Sequence, residues 1–309
     1  MKKTKILTLT IFFTSILLSV LLLGCNDTID PKTYDSYTIT YNLDGGINDD
    51  GNPETYTIKT PTITLQAPTK PGFVFDGWFS NAAFEGTAVT TIAQGSMGDK
   101  ALYARWTEYA VGDRGPAGGW IIYVSDEFYI ENGWRYLEVA PADLWVAGSG
   151  SDRRVSIDTD DVPERADYSH IFGYHRPSGS NTIVTGGTDV GVGRWNTQDL
   201  VDAMGDEAYS SESGNDKTGD YAAKLCDELV VEKDGVVYDN WFLPSKDELN
   251  LMYNELALLS APGFTDSGYW CSYECAVYAA WSRSFDFPSN FMQAYKDVDA
   301  RVRPIRAFL

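Results

Sequence analysis

The stretch DNWFLPSKDELNLMY, Asp239 to Tyr253, decides how the larger part of the chain folds. It sets a tryptophan beside a Leu-Pro-Ser step and three acidic residues, a mixture that suits either a catalytic block or the start of a helix. Local chemistry favours the helix. Ser245-Lys246-Asp247-Glu248 has S-x-x-E spacing. In such a capping box the serine hydroxyl accepts from the N–H three residues on, and the glutamate reaches back to the serine N–H. Asp247 and Glu248 also stand at the positive end of the helix dipole, and Pro244 holds Leu243 extended. Leu249, Met252, Tyr253 and Leu256 then form one apolar stripe, and Pro262-Gly263 ends the run. Trp241 and Leu243 alternate along a strand that leads in. A nucleophilic Ser245 needs a general base within reach, whereas capping already uses this hydroxyl. The sharpest signature in the chain therefore reads as framework.

Working outward, GDYAAKLCDELV places Ala222, Leu225, Cys226 and Leu229 at i, i+3, i+4 and i+7, the stripe of a second helix. Downstream, GYWCSYE, AAWSRSFDF, QAYKD and RVRPIRAF are strand-like runs parted by short polar or proline turns. In the last, Val302 alternates with Arg301 and Arg303, and the segment is expected to pair with Trp120–Val124. Upstream, VGDRGPAGGWIIYVSD is a glycine-rich turn feeding that strand. GWRYLEVAPADLW alternates Arg135, Leu137 and Val139 against Tyr136 and Glu138. Between them and the helices, Val146 to Trp195 is rich in Gly, Ser, Asp and Thr and reads as extended loops.

The composition limits the function classes. The 309 residues suffice for two modest domains, and 43% apolar content marks a folded chain. The formal charge of −20 repels phosphate backbones, so nucleic acid is excluded as a partner, and polyanionic glycans are disfavoured. Aromatic content of 14% suits β-structure and surfaces that stack on sugars or proteins.

The first residues carry Lys2, Lys3 and Lys5, then an apolar run from Ile6 to Leu23. This is the layout of a secretory signal, although the run is also near the ~18-residue lower limit for a membrane span. Leu22-Leu23-Gly24-Cys25 resembles the bacterial lipobox. That resemblance implies cleavage before Cys25, lipidation of its thiol and a membrane contact through the lipid; two or more acyl chains anchor stably. Loss of residues 1–24 removes three lysines from the −20 of the chain and leaves −23. Residues 25–36 are a polar tether.

From Tyr37 the pattern turns to β. YTITYNLDGG alternates Tyr37, Ile39, Tyr41 and Leu43 before a turn, TYTIKTPTITL is broken at Pro61, and APTKPGFVFDGWF and KALYARW supply further strands. YNLDGG, APTKPGFVFDGWF and ALYARWTE, in that order, resemble the Listeria–Bacteroides repeat of the internalin B-repeat type, over 37–108. The resemblance implies a small β-grasp-like module of bacterial surface proteins, used as a spacer or interaction unit. Trp78 and Trp106 are expected in its core. From 109 to 309, VGDRGPAGGWIIYV, GWRYLEVAPADL, DNWFLPSKDELNLMY, YWCSYE and RVRPIRAF together look like the DUF1566 or Lcl C-terminal domain family. That resemblance implies a C-type-lectin-like fold with joined terminal strands, two helices and long binding loops. The fold class expected is α+β: a β-grasp-like repeat followed by a C-type-lectin-like domain of twisted antiparallel sheets.

Motifs for chemistry are sparse. His170 and His175 are five apart in a loop-like region, and no H-E-x-x-H, Walker A or G-x-S-x-G occurs. Of the thiols other than Cys25, Cys226 lies on an apolar stripe, while Cys271 and Cys275 flank Ser272-Tyr273-Glu274, a spacing at which a disulfide stays open. The resemblance extends to formylglycine-generating enzymes, whose oxidation needs a reactive cysteine pair; no active-site block of that kind is matched. Asp158, Asp160 and Asp161 in SIDTDDVPE lack EF-hand spacing and read as a solvated loop, with Ca2+ left open as a cofactor. The candidate ligand residues are Trp195, Tyr278, Trp281, Arg283, Asp286 and Asn290, whose aromatics suit a sugar face and whose polar groups suit hydroxyls. For Trp281 and Phe285 the competing role is core. The expected function is a lipid-anchored envelope protein, at the outer membrane or cell surface, that binds a glycan or protein. The alternatives are an envelope enzyme of the formylglycine-generating type and a structural component without a specific ligand.

Overall fold

The computed structural model describes residues 34–176, 183–256, 263–265, 267–286 and 290–309, with the backbone alone over 129–131. The leader, Cys25 and most of the tether lie outside the described residues, as does Pro262. No helix among the described residues is long and apolar enough to cross a membrane.

Among the described residues the chain is mainly β with four short α-helices. Its first unit holds six strands: β1 (Tyr37–Asn42), β2 (Thr55–Tyr56), β3 (Ile63–Thr64), β4 (Phe73–Phe79), β5 (Thr91–Ile92) and β6 (Lys100–Glu108). Four of them form a sheet in the order β2-β1-β6-β4, with β1 and β6 parallel. Ile39, Tyr56, Trp78, Ile92, Leu102 and Ala104 are its buried core, with Tyr37, Tyr41, Leu43 and Trp106 packed against it. Both indoles are anchored, Trp78 donating to Gln66 O at 3.0 Å and Trp106 to Leu43 O at 2.8 Å. The Asp44-Gly45-Gly46 turn needs its glycines. Gly45 has φ +84°, and a methyl on Gly46 would stand 2.6 Å from the Trp106 ring.

The second unit begins where β6 runs into Tyr109, which meets Tyr136 and Phe308 edge-on at 5.4 and 5.7 Å. Arg135 grips Glu108 with two 2.9 Å bonds across the junction. Its elements are β7 (Trp120–Val124), α1 (Asp126–Asn132), β8 (Tyr136–Val139), β9 (Trp145–Ala147), β10 (Arg154–Ser156), β11 (Ser169–Ile171) and α2 (Gly193–Met204). There follow β12 (Ala208–Tyr209), β13 (Lys217–Thr218), α3 (Ala222–Asp227), β14 (Val231–Lys233), β15 (Val236–Tyr238), β16 (Trp241–Phe242) and α4 (Lys246–Leu251), which continues as a π-turn over Met252–Leu256. The last strands are β17 (Gly268–Ala276), β18 (Ala279–Ser284), β19 (Phe291–Tyr295), β20 (Asp299–Arg301) and β21 (Ile305–Phe308).

Two sheets organise this unit, ordered β16-β21-β8-β7 and β11-β20-β17-β18-β19. Successive residues of β17 serve opposite faces, as the period of two requires. Trp270 enters a core with Leu200, Leu225, Cys226, Leu243 and Val302. Tyr269 and Cys271 enter another with Leu137, Leu249, Met252 and Ile305. Trp241 and Phe242 likewise divide between these two cores.

Four expectations are corrected. Val146 to Trp195 is not all loop: it contains β9, β10 and β11, which carries His170, and the start of α2. Among the described residues four helices stand where two are expected. The longest, α2, escapes the apolar pattern because Asn196 and Thr197 share its buried side with Leu200 and Met204, and because Val192 at its N-cap makes no side-chain cap. The C-terminal run does not pair directly with Trp120–Val124. Pro304 separates β20 from β21, and β8 lies between β21 and β7. Nor do Arg301, Val302 and Arg303 alternate between core and solvent, since Arg303 is as buried as Val302.

Candidate ligand-binding site

The β18–β19 hairpin gathers most of the residues singled out above. Trp281 and Arg283 lie two apart on β18, so they share a face, and their cross-strand partners on β19 are Gln293 and Phe291. Tyr295, opposite Ala279, continues that face and meets Tyr278 at 5.8 Å. Tyr278 and Tyr295 are 45% and 61% exposed. Asp286 and Asn290 stand at the other end of the hairpin, both exposed, with the Asp286 N–H donating to Ser284 Oγ at 3.1 Å. Trp281 is only partly buried and rests on the edge of the second core with Phe285 and Phe291, so it serves core and surface together.

The hairpin face carries two cations held by rings. Lys246, from the first turn of α4, lies 4.2 Å from the Trp281 ring centroid and 5.0 Å from that of Phe291. Arg283 lies 4.2 Å from Tyr253 and 4.9 Å from Phe291. Its Nη1 donates to Asn250 Oδ1 at 2.6 Å, while Nε is buried without a partner. Burial pushes the Arg283 pKa below the usual guanidinium value. Among the described residues no carboxylate lies within ion-pair distance of either cation.

Elsewhere buried cations are paired. Lys296, between the Phe172 and Tyr174 rings, meets Glu274 at 2.5 Å, and both side chains are fully buried. Glu274 also accepts from the Val184 and Thr185 N–H groups. Arg303 meets Asp143 at 2.7 Å and donates to Gly263 O. Arg306 meets Glu138 at 3.0 Å.

The capping box at the start of α4 is complete. Ser245 Oγ accepts from Glu248 N at 3.2 Å, and Glu248 Oε2 accepts from Ser245 N at 2.6 Å. Glu248 Oε1 also accepts from Gly191 N at 2.8 Å. Burial pushes the Glu248 carboxyl up to about 7, against the bonds from Ser245, Gly191 and Gly193 that favour its charged form. Ser245 is fully buried and occupied by capping.

Trp195 lies apart from the hairpin, on the first turn of α2, 57% exposed, with Arg194 stacked on it at 4.4 Å. Arg194 also lines a small polar cavity of about 210 Å³ with Gln198, Asp227 and Asp239. The structure therefore joins Tyr278, Trp281 and Arg283 along one face, sets Asp286 and Asn290 at its end, and leaves Trp195 elsewhere.

The disulfide left open between Cys271 and Cys275 is not formed. Cys226, Cys271 and Cys275 are free thiols, Cys226 and Cys271 fully buried and Cys275 partly so. Burial pushes the Cys271 thiol up to about 12 and raises Cys226 and Cys275 as well, so all three are held protonated at neutral pH. Among the described residues no three His, Cys, Asp or Glu side chains converge to hold a metal ion. Asp158 takes the N–H of Asp160 and Asp161 pairs with Arg154, which are loop-building roles.

Lys246, Phe291 and Tyr295 were not among the residues singled out from sequence. Lys246 was absorbed into the capping box, and the alternation Phe291, Gln293, Tyr295 was the signal for the other two.

Residues 37–105 match the family model of the Listeria-Bacteroides repeat domain. No curated protein matches the chain.

Proposed function

We propose that the chain is a lipid-anchored cell-envelope protein in which the repeat holds out a lectin-like C-terminal domain as a binding module for a glycan or protein. The observation that carries this reading is the β18–β19 face, where exposed tyrosines lead to Trp281 and to two cations without carboxylate partners. Aromatic faces beside unpaired polar groups are the usual make-up of a recognition surface. The grasp-like description of the repeat draws support from its parallel central pair, β1 and β6. The lectin-like description draws support from the sheet β16-β21-β8-β7, which brings β7 and β21, near the start and end of the domain, into one layer. The lipid anchor rests on Leu22-Leu23-Gly24-Cys25.

The test is a glycan and protein array probed with the full-length chain in detergent. Selective binding that Trp281→Ala weakens by tenfold or more is expected. Flat binding across the array would leave a structural envelope component as the account. For the anchor, Cys25→Ala is expected to move the protein from the membrane fraction to the soluble fraction and to abolish incorporation of labelled fatty acid; unchanged membrane retention would remove that part of the reading.

A further inference from the structure

We propose that the β18–β19 face is a site for a carboxylate-bearing sugar, with Lys246 and Arg283 receiving the carboxylate and Trp281, Tyr278 and Tyr295 stacking the sugar chain. This rests on the reading of the face as a binding surface and names the class of its ligand.

The argument begins with charge. The chain holds 44 acidic against 24 basic residues, so carboxylates are plentiful. Of the four cations buried among the described residues, Lys296, Arg303 and Arg306 each have one, at 2.5, 2.7 and 3.0 Å. Arg283, 7% exposed, has none among the described residues. A buried charge without a counter-ion is costly, and an apolar side chain of similar size would separate Tyr253 from Phe291 at lower cost. A guanidinium kept in that position is explained by an anion that arrives from outside. Lys246 supports this independently. It stands on the same face through Phe291, is half-buried, and also lacks a carboxylate among the described residues. Both cations lie against the Phe291 ring, at 5.0 and 4.9 Å from its centroid, and two such charges suit a single carboxylate rather than a polyanion.

The rest of the face selects the body that carries the anion. Residues 279 to 283 run along ~13 Å of strand, bounded by the exposed Tyr278–Tyr295 pair at one end and Arg283 at the other. Ring faces along an extended strip suit the apolar faces of consecutive sugars. A ligand with one carboxylate presents a single charge, so the overall −20 opposes it far less than it opposes a polyanion.

The test uses the full-length protein in detergent and isothermal titration with glucuronate, N-acetylneuraminate and glucose. Glucose and glucuronate differ only in the carboxylate. Binding of one or both acidic sugars, with at least tenfold weaker glucose binding, is expected. Lys246→Ala is expected to weaken the acidic sugar by about tenfold, and Arg283→Gln by more. Thermal melts check each variant, and the half-exposed Lys246 keeps the test decisive where Arg283→Gln does not fold. Equal affinity for glucose and glucuronate, no binding of either acidic sugar, or unchanged binding by Lys246→Ala would overturn the proposal. Selective array binding of neutral glycans alongside any of those results would leave the binding-module reading standing and remove only the acidic-sugar assignment.

Discussion

The interior of the C-terminal unit and the β18–β19 face treat buried charge differently. Inside, Lys296, Arg303 and Arg306 each face a carboxylate and further hydrogen-bonding groups. On the hairpin face, Arg283 has one amide oxygen and two rings, and Lys246 has rings alone. A third case lies between them. Glu248 is buried without a cation but is satisfied by backbone N–H groups. The contrast separates charges that the fold itself satisfies from charges it leaves for something else, and exposure alone does not make that distinction.

Four experiments press on the contrast. The largest effect is expected from Lys296→Met, which strands Glu274 in the core and should cost ~3–5 kcal/mol by urea denaturation; a loss below ~1 kcal/mol would erase the distinction between the two regions. Next comes the pH dependence of Glu248. Its carboxyl titrates near 4.5 when unfolded and at about 7 when folded. The folded state therefore holds the proton more tightly. Its contribution is complete below the unfolded value and is lost as pH rises through that window. Relative to Glu248→Gln, the wild type should lose on the order of 3 kcal/mol between those pH values, read from denaturation midpoints across pH 4 to 8; parallel profiles would count against it. Ser245→Ala removes a cap and should cost ~1 kcal/mol, seen as a lower melting temperature. The smallest change is expected from Arg283→Met, within ~1 kcal/mol of wild type, because no buried carboxylate loses its partner. A loss as large as that of Lys296→Met would make Arg283 a structural charge.

Much of the framework was legible in the sequence because it is written in local chemistry. The capping box depends only on residues three apart, and the β1 alternation depends only on a period of two. Trp120–Val124 was found with its observed bounds for the same reason. What stayed hidden depends on distant partners. The α2 helix buries Asn196, whose side chain bonds Gly186, Gly187 and Ser272, so its stripe is not apolar. Arg303 sits in a run that looks alternating, and only Asp143, 160 residues away, explains its burial. The candidate face was half legible. Trp281 and Arg283 stand out by spacing on one strand, but Lys246 joins them only when α4 packs on the sheet.

The Glu248 carboxyl has a mechanical consequence. It holds the N–H of Gly191, just before α2, and the N–H of Ser245, at the start of α4. A methyl on Gly193 would overlap its Oε2. One side chain thus latches together the opening turns that carry Trp195 and Lys246. Whatever loosens that latch loosens both surfaces at once, so amide exchange at Gly191 and Ser245 should rise and fall in step.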